Sequence, residues 1–173
     1  GYRGADYGYL YNNDITGNIT IADAASHIVG YTTYIRENII TGNANFTINS
    51  VTSINEADNA GGGNHYTGNV SFTMNGTGAL YLSNSDTSLY DGNLTINRTG
   101  AGITDVFNSG GVIGGNFSYT NNTSGNSLFG IISKRTSIGG TINIAINDTA
   151  TITTPGTFEL IRAINLTNGG TIS

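Results

Sequence analysis

Short segments in which apolar residues alternate with Thr, Ser or Asn recur along the whole chain. Val70 and Phe72 flank one Ser, and Leu94 and Ile96 flank one Thr. A period of two places the apolar residues on one face of a strand and the polar residues on the other. The pattern therefore predicts many short β-strands, each with one buried face.

These strands follow a phrase that begins with Gly and usually continues with Asn, as in Gly92-Asn93-Leu94-Thr95-Ile96. Its glycine lies at positions 17, 42, 68, 92, 115, 140 and 170, and the differences between neighbouring positions are 25, 26, 24, 23, 25 and 30. A phrase that returns at a nearly fixed period is typical of solenoids, in which each copy lies on the one before.

Two further apolar clusters separate each copy of the phrase from the next. Three short strands per coil of about 25 residues predict an all-β fold, a parallel β-helix (β-solenoid). An antiparallel sandwich or jelly roll also has many short strands, but it does not require one phrase to return at one spacing.

The two residues that open each phrase have separate predicted roles. Asparagines at equivalent places in successive coils are stacked, so their amides can form a hydrogen-bonded ladder that faces inward. The predicted ladder contains Asn18, Asn43, Asn69, Asn93 and Asn116, and Thr141 interrupts it. The glycines are expected to supply the positive φ that a corner requires. These corner glycines are Gly17, Gly42, Gly68, Gly92, Gly115 and Gly140.

The last coil predicted from this spacing, from Gly140 to Gly170, is the longest. It contains the single proline, Pro155, and extra residues in repeat proteins usually form loops on one face. We expect residues 153–156 to be such a loop. Residues 169–173 are expected to start a seventh copy of the phrase.

Composition excludes several classes of function. Six Lys and Arg against eleven Asp and Glu cannot supply the basic surface that a nucleic-acid-binding protein needs. The absence of Cys excludes disulfides and zinc–thiolate sites. His27 and His65 lie in different predicted coils, so neither a metal site nor a cofactor is expected. No apolar run of about 18 residues is present, so no membrane span is expected.

Carboxylates and asparagines are the first candidates for chemistry. A carbohydrate-active enzyme needs two carboxylates that converge on one bond. The candidates are Glu37, Glu56, Asp58, Asp86, Asp91 and Asp105, which we interpret as solvated corner residues. Eleven asparagines stand in Asn-x-Ser/Thr, the N-glycosylation pattern, but four of them belong to the repeat phrase.

Tyrosines are the other candidates, because Tyr2, Tyr7, Tyr9 and Tyr11 lie close together near the N-terminus. They predict a strand with one aromatic face that stacks on the next coil. Such a row either binds sugar rings at the surface or packs inside the solenoid.

The whole chain resembles one unit of the giant tandem-repeat (β-strand-repeat, adhesin-like) surface proteins of adherent and gliding bacteria. The segments that carry the resemblance are residues 15–23, 42–49, 91–99, 115–122 and 165–173. The resemblance implies secretion to the bacterial cell surface and a mechanical or adhesive role, and it brings no catalytic residues with it.

We therefore expect residues 1–173 to form a single β-solenoid segment, one unit of a longer tandem array. Its predicted function is structural or adhesive, in an extracellular fibre or stalk at the cell surface. The predicted partners are neighbouring copies of the unit, stacked end to end, and it is not expected to be an enzyme. The alternatives are a glycan-binding module and a carbohydrate-active β-helix enzyme.

Overall fold

The structure, a computed structural model, describes residues 7–23, 31–58, 62–123, 127–129, 136–146, 151–153, 158–160, 164–168 and 171–172. Strands in this part of the chain form three parallel sheets, here called A, B and C. The chain visits the sheets in the order A, B, C and then returns to A, so each coil gives one strand to each sheet. The predicted β-solenoid with three strands per coil is confirmed. The described residues include no helix that could cross a membrane.

The strands are numbered in chain order, and coil 1 comprises β1, β2 and β3. Sheet A contains β1 (Tyr7–Tyr11), β4 (Thr32–Arg36), β7 (Ser53–Glu56), β10 (Leu80–Leu82), β13 (Thr104–Val106), β16 (Ser127–Phe129), β19 (Thr151–Thr153) and β22 (Thr171–Ile172). Sheet B contains β2 (Asp14–Thr16), β5 (Ile39–Thr41), β8 (His65–Tyr66), β11 (Ser88–Tyr90), β14 (Gly111–Ile113), β17 (Thr136–Ile138) and β20 (Phe158–Leu160). Sheet C contains β3 (Ile19–Ala22), β6 (Ala44–Ile48), β9 (Val70–Met74), β12 (Leu94–Arg98), β15 (Phe117–Asn121), β18 (Ile142–Ile146) and β21 (Ile164–Asn168).

The core is a set of side-chain rows that run along the solenoid axis. Parallel in-register pairing places each inward residue on its equivalent in the next coil, about 4.8 Å away. Phe46 stacks on Phe72 with ring centroids 4.7 Å apart, and Tyr66 stacks on Tyr90 at 5.2 Å. All four rings are buried. Residues of the repeat phrase that alternate with them, such as Ser71 and Thr95, lie on the outer face and are half-buried.

The phrase glycines lie at the corner between sheets B and C, but positive φ does not explain most of them. Gly17 and Gly42 have φ values of 111° and 148°. Gly68, Gly92, Gly115 and Gly140 are not in the left-handed region, so the predicted conformational role is wrong for these four. Close packing is the reason, because a Cβ on Gly68 would lie 2.3 Å from the carbonyl oxygen of Gly42.

Positive φ occurs instead at the corner between sheets A and B. Five of the described residues other than glycine adopt it there, with φ between 49° and 63°. They are Asn12, Glu37, Ala57, Ser83 and Phe107. Left-handed backbone is strained for residues with a Cβ, so tertiary packing has to hold these corners.

The last coil differs from the one predicted by the glycine spacing. Ile142 of β18 pairs with Ile164 of β21, so this coil is shorter than the spacing from Gly140 to Gly170 predicts. Thr171 does not start a seventh copy of the phrase, because β22 pairs with β19 in sheet A. The prediction failed because β21, the last sheet C strand, is not preceded by Gly-Asn, whereas Gly169-Gly170 resembles the start of a phrase. Thr153, the first residue of the expected proline loop, is instead the last residue of β19, and residues 154–157 lie outside the described residues.

Replacement of Gly68 separates close packing from backbone conformation. We expect Gly68→Ala to destabilise the protein by about 3 kcal/mol, since the added Cβ meets backbone atoms that cannot move aside. Denaturant unfolding measures this loss, with Thr67→Ala at the adjacent exposed residue as the control. Asn tolerates positive φ, so a well-tolerated Gly68→Asn variant would contradict the packing explanation.

Candidate functional site

The asparagines of the repeat phrase form a chain of hydrogen bonds at the B–C corner. The backbone N–H of Asn43 donates to Oδ1 of Asn18 at 2.9 Å, and the N–H of Asn69 donates to Oδ1 of Asn43 at 2.9 Å. Asn93, Asn116 and Thr141 continue the series through their own N–H groups at 2.8–3.0 Å. Thr141 therefore donates the last bond of the asparagine series but offers no amide oxygen to the next coil.

These asparagines are exposed at the corner, contrary to the inward orientation predicted from the sequence. The backbone, rather than the neighbouring side-chain amide, is the usual donor; Nδ2 of Asn93, 2.9 Å from Oδ1 of Asn69, is a side-chain exception. Exposure removes the argument that burial protects the four sequons of the repeat phrase from glycosylation. Their Oδ1 atoms accept hydrogen bonds from the next coil, whereas N-glycosylation modifies Nδ2.

A second ladder, missed in the sequence, is located at the A–B corner. Oδ1 of Asn64 accepts from the N–H and Nδ2 of Asn38 at 3.0 and 2.9 Å. Oδ1 of Asn38 accepts in turn from the N–H and Nδ2 of Asn13 at 3.1 and 3.0 Å. Asn38 and Asn64 are buried. The sequence spacing could have predicted this ladder, because Asn13, Asn38 and Asn64 each stand at the same short distance before a phrase asparagine.

We call this series of Asn13, Asn38 and Asn64 the inner ladder. It ends at Glu56, whose carboxyl group lies inside the solenoid. Oε1 of Glu56 accepts from Nδ2 of Asn64 at 2.6 Å and from the hydroxyl of Ser88. Oε2 accepts from the N–H of Ser83 at 2.7 Å and from the hydroxyl of Tyr90 at 3.3 Å. Glu56 has no exposed surface, so its interpretation as a solvated corner residue is wrong.

Stacking explains why a carboxyl group is buried at this place. Glu56 pairs with Ile35 in the coil before, so it occupies a core row that is otherwise apolar. Burial raises the pKa of Glu56, and the donors from Ser88, Ser83, Asn64 and Tyr90 oppose that shift. The hydroxyl of Tyr66, also fully buried, has no hydrogen-bond partner.

A buried arginine lies in a different coil. The guanidinium of Arg98 donates to the hydroxyl of Thr104 at 2.6 Å and to the carbonyls of Gly78, Gly100 and Ile103 at 2.9–3.1 Å. Burial lowers the pKa of Arg98 to about 10. Backbone carbonyls satisfy its donors, so the side chain closes the C–A corner rather than facing a ligand.

Tyr9 and Tyr11 lie on the outer face of sheet A. Tyr9 is 60% exposed and stacks on Tyr34 with ring centroids 5.2 Å apart, and Tyr11 is 46% exposed. The Arg36 guanidinium lies 4.9 Å from the ring centre of Tyr11 and 3.3 Å from Oδ1 of Asp58. These two tyrosines are therefore surface residues, whereas Tyr2 and the side chain of Tyr7 lie outside the described part of the structure.

Among the other candidate carboxylates, Glu37, Asp58 and Asp86 lie at the A–B corners of coils 2, 3 and 4. Asp91 is exposed, and its Oδ2 lies 2.9 Å from Nε2 of His65. Asp105 is 9% exposed, so its interpretation as a solvated residue is wrong as well. Its Oδ1 has no hydrogen-bond partner, and burial raises the pKa of Asp105. Glu37, Asp58 and Asp86 are half-buried.

The part of the chain that the structure describes contains no group of three His, Asp or Glu side chains that could hold a metal ion. His27 lies outside it. No family model, curated protein or solved structure matches this chain. Function is therefore inferred from the ladders, the coil ends and the surface tyrosines.

Glu56 is expected to link the stability of the solenoid to pH. Because its folded pKa is raised above the usual value of 4.5, the folded state holds the proton more tightly than the unfolded state. The contribution of Glu56 to stability is thus greatest below about pH 4.5 and falls as pH rises toward the folded pKa. Glu56→Gln cannot titrate, so its stability relative to the native protein should increase across that range.

Urea unfolding of both proteins from pH 4 to pH 8, at about one-unit steps, measures this difference. Asp14→Asn, at an exposed residue of β2, is the control for loss of a surface carboxylate. A native-minus-variant difference that does not change with pH would contradict proton uptake by Glu56.

Proposed function

We propose that this chain is a structural segment of an extracellular cell-surface fibre or stalk, a stiff β-solenoid that stacks end to end with neighbouring units. Support for the surface location comes from the resemblance of its repeat phrases to bacterial tandem-repeat surface proteins. Support for the stacking comes from the unfinished packing of coil 1.

The apolar side chains of coil 1 are the observation that carries the proposal. Leu10, Ile15, Ile19 and Ile21 point into the core but are only partly buried. Their register partners in coil 2 are 0–1% exposed. These partners are Ile35, Ile40, Ala44 and Phe46. A further coil would bury these four residues as coil 1 buries their partners, and each buried methylene contributes about 0.8 kcal/mol.

The backbone at this end favours the same partner. Among the described residues β1, β2 and β3 are the terminal strands of their sheets, and no described strand pairs with their outer edges. The exposed ring of Tyr9 also continues an axial stack that begins at Tyr34. We call this surface, formed by β1, β2, β3 and their inward apolar residues, the coil 1 end face.

Addition of one coil tests whether the coil 1 end face accepts a neighbour. Thr32 pairs with Ser53 in the following coil, so residues 32–52 are one complete coil. We expect a second copy of residues 32–52, inserted between Asp6 and Tyr7, to raise the melting temperature and to slow hydrogen exchange of the Asp14 amide. The reason is that the equivalent amide, of Ile39, donates to the carbonyl of Asn13 at 2.9 Å.

The matched control is an inserted copy in which Ile35, Ile40 and Phe46 are replaced by Ser, so that it lacks a core face. An Asp14 amide that exchanges equally fast with either insertion would contradict the stacking of units at this end.

A glycan-binding module is the second candidate, and the exposed tyrosines favour it. Tyr9 and Tyr11 offer aromatic surface to sugar rings, and the ion pair of Arg36 with Asp58 offers polar groups for sugar hydroxyls beside them. The outer face of sheet A would then bind polysaccharide along the solenoid.

Glycan-array binding measures this second candidate. We expect a Tyr9→Ala, Tyr11→Ala double variant to lose at least about tenfold in affinity, since each aromatic contact contributes on the order of 1 kcal/mol. Leu89→Ala, on the exposed face of sheet B, is the control. Equal binding by both variants, or no binding by the native protein, would contradict the candidate.

A further inference from the structure

The exposed asparagine ladder at the B–C corner and the inner ladder at the A–B corner run in opposite directions along the solenoid axis. At the B–C corner an amide oxygen accepts from the N–H of the following coil, as Asn18 does from Asn43. At the A–B corner an amide oxygen accepts from the N–H of the preceding coil, as Asn38 does from Asn13. At the interface between coils 1 and 2, coil 1 therefore supplies the amide acceptor at the B–C corner, and coil 2 supplies the one at the A–B corner.

Opposite directions leave different groups open at the coil 1 end face. At the B–C corner the open group is the N–H of Asn18, which has no acceptor among the described residues. At the A–B corner it is Oδ1 of Asn13, whose Nδ2 donates to Asn38 and to the carbonyl of Tyr11. A backbone N–H suffices for Asn13, and every residue except Pro carries one. The N–H of Asn18 requires an acceptor, which the equivalent amides of later coils obtain from a side chain.

We propose that the natural occupant of the coil 1 end face is a β-coil that carries asparagine at its B–C corner. This inference rests on the proposed function and adds the chemistry of the partner. Asn43 and Asn69, which stand at the same corner in coils 2 and 3, show the side chain required. The occupant is therefore a coil of the same pattern, with an amide oxygen directed at Asn18.

The last coil of a second copy does not have this chemistry. The register of β18 with β21 pairs Ile142 with Ile164. In the sequence Thr141 precedes Ile142, whereas Ala163 precedes Ile164. Alanine has no side-chain acceptor. Ala163 itself lies outside the described residues. Two identical units stacked end to end would leave the N–H of Asn18 without a side-chain acceptor. A coil with asparagine at this corner would supply one.

Three inserted coils distinguish these partners, each placed between Asp6 and Tyr7 of the full chain. The first is a copy of residues 32–52, and the second is the same copy with its Asn43 changed to Ala. The third is a copy of residues 151–170, the last coil, since Thr151 pairs with Thr171. Hydrogen exchange is followed by NMR at two amides, Asp14 and Asn18.

The Asp14 amide reports whether a coil docks at all, and the Asn18 amide reports whether the ladder is completed. We expect all three insertions to protect Asp14. Only the first should protect Asn18, with exchange about tenfold slower than in the other two, as the loss of one hydrogen bond predicts. The side chain of Asn18 remains unchanged in every variant, so the hydrogen bond that it accepts from the native Asn43 N–H serves as an internal control.

Equal protection of Asn18 by all three coils would overturn the inference while leaving the proposed stacking intact. Protection of neither amide by any coil would overturn the proposed function itself. If only the first two coils protect Asp14, protection of Asn18 by the first and not by the second would still support the inference, because these two coils differ only in the asparagine, and equal protection would overturn it.

Discussion

Parallel, in-register contact between successive coils is the interaction on which the rest of this structure depends. It places every residue directly on its equivalent about one strand spacing away, so a single side-chain choice is repeated along a row. The phrase glycines follow from this contact, because a Cβ at Gly68 or Gly92 would lie 2.3 or 2.6 Å from a carbonyl oxygen of the coil before. The exposed asparagine ladder follows as well, since each Oδ1 lies opposite an N–H of the neighbouring coil.

Stacking also determines how this solenoid tolerates polar groups in its core. Glu56 and Arg98 have no exposed surface, and they are not paired with each other by any hydrogen bond or ion pair that the structure gives. Each is satisfied separately by hydroxyls, amides or carbonyls from its own coil and from adjacent coils. Buried charges are normally destabilising unless their hydrogen bonds are complete, so these two residues depend on correct stacking around them. Their coils are accordingly the places where a change of register would be most damaging.

The sequence was sufficient for the fold class, because few folds other than a solenoid repeat one phrase about every 25 residues. It was not sufficient for the last coil, where the sheet C strand Ile164–Asn168 lacks the Gly-Asn opening and Gly169-Gly170 misleads. Positive φ was assigned to glycines at one corner, whereas residues such as Ala57 and Phe107 adopt it at another. Composition does not indicate positive φ at such residues, because tertiary packing is what stabilises that backbone conformation.

Burial of individual polar residues was the least predictable feature. Glu56 follows the same alternation as Ile54, so the period of two places it inside, but its charge suggested the opposite. The inner ladder of Asn13, Asn38 and Asn64 has a regular spacing, but only Asn64 follows a glycine, so its members share no repeated phrase. The exposure of Tyr9 and Tyr11 was left open by the sequence and is settled by their place on the outer face of sheet A.

Disulfide formation between stacked residues tests the in-register contact most directly, because the chain has no native Cys. Ser71 and Thr95 are direct partners on the outer face of sheet C, whereas Asn97 pairs with Thr73 and is displaced from Ser71 along the strand. In-register stacking predicts that a Ser71→Cys, Thr95→Cys protein forms its disulfide readily on mild oxidation and remains folded. It also predicts that a Ser71→Cys, Asn97→Cys protein does not form its disulfide. Preferential formation of the disulfide between positions 71 and 97 would contradict it.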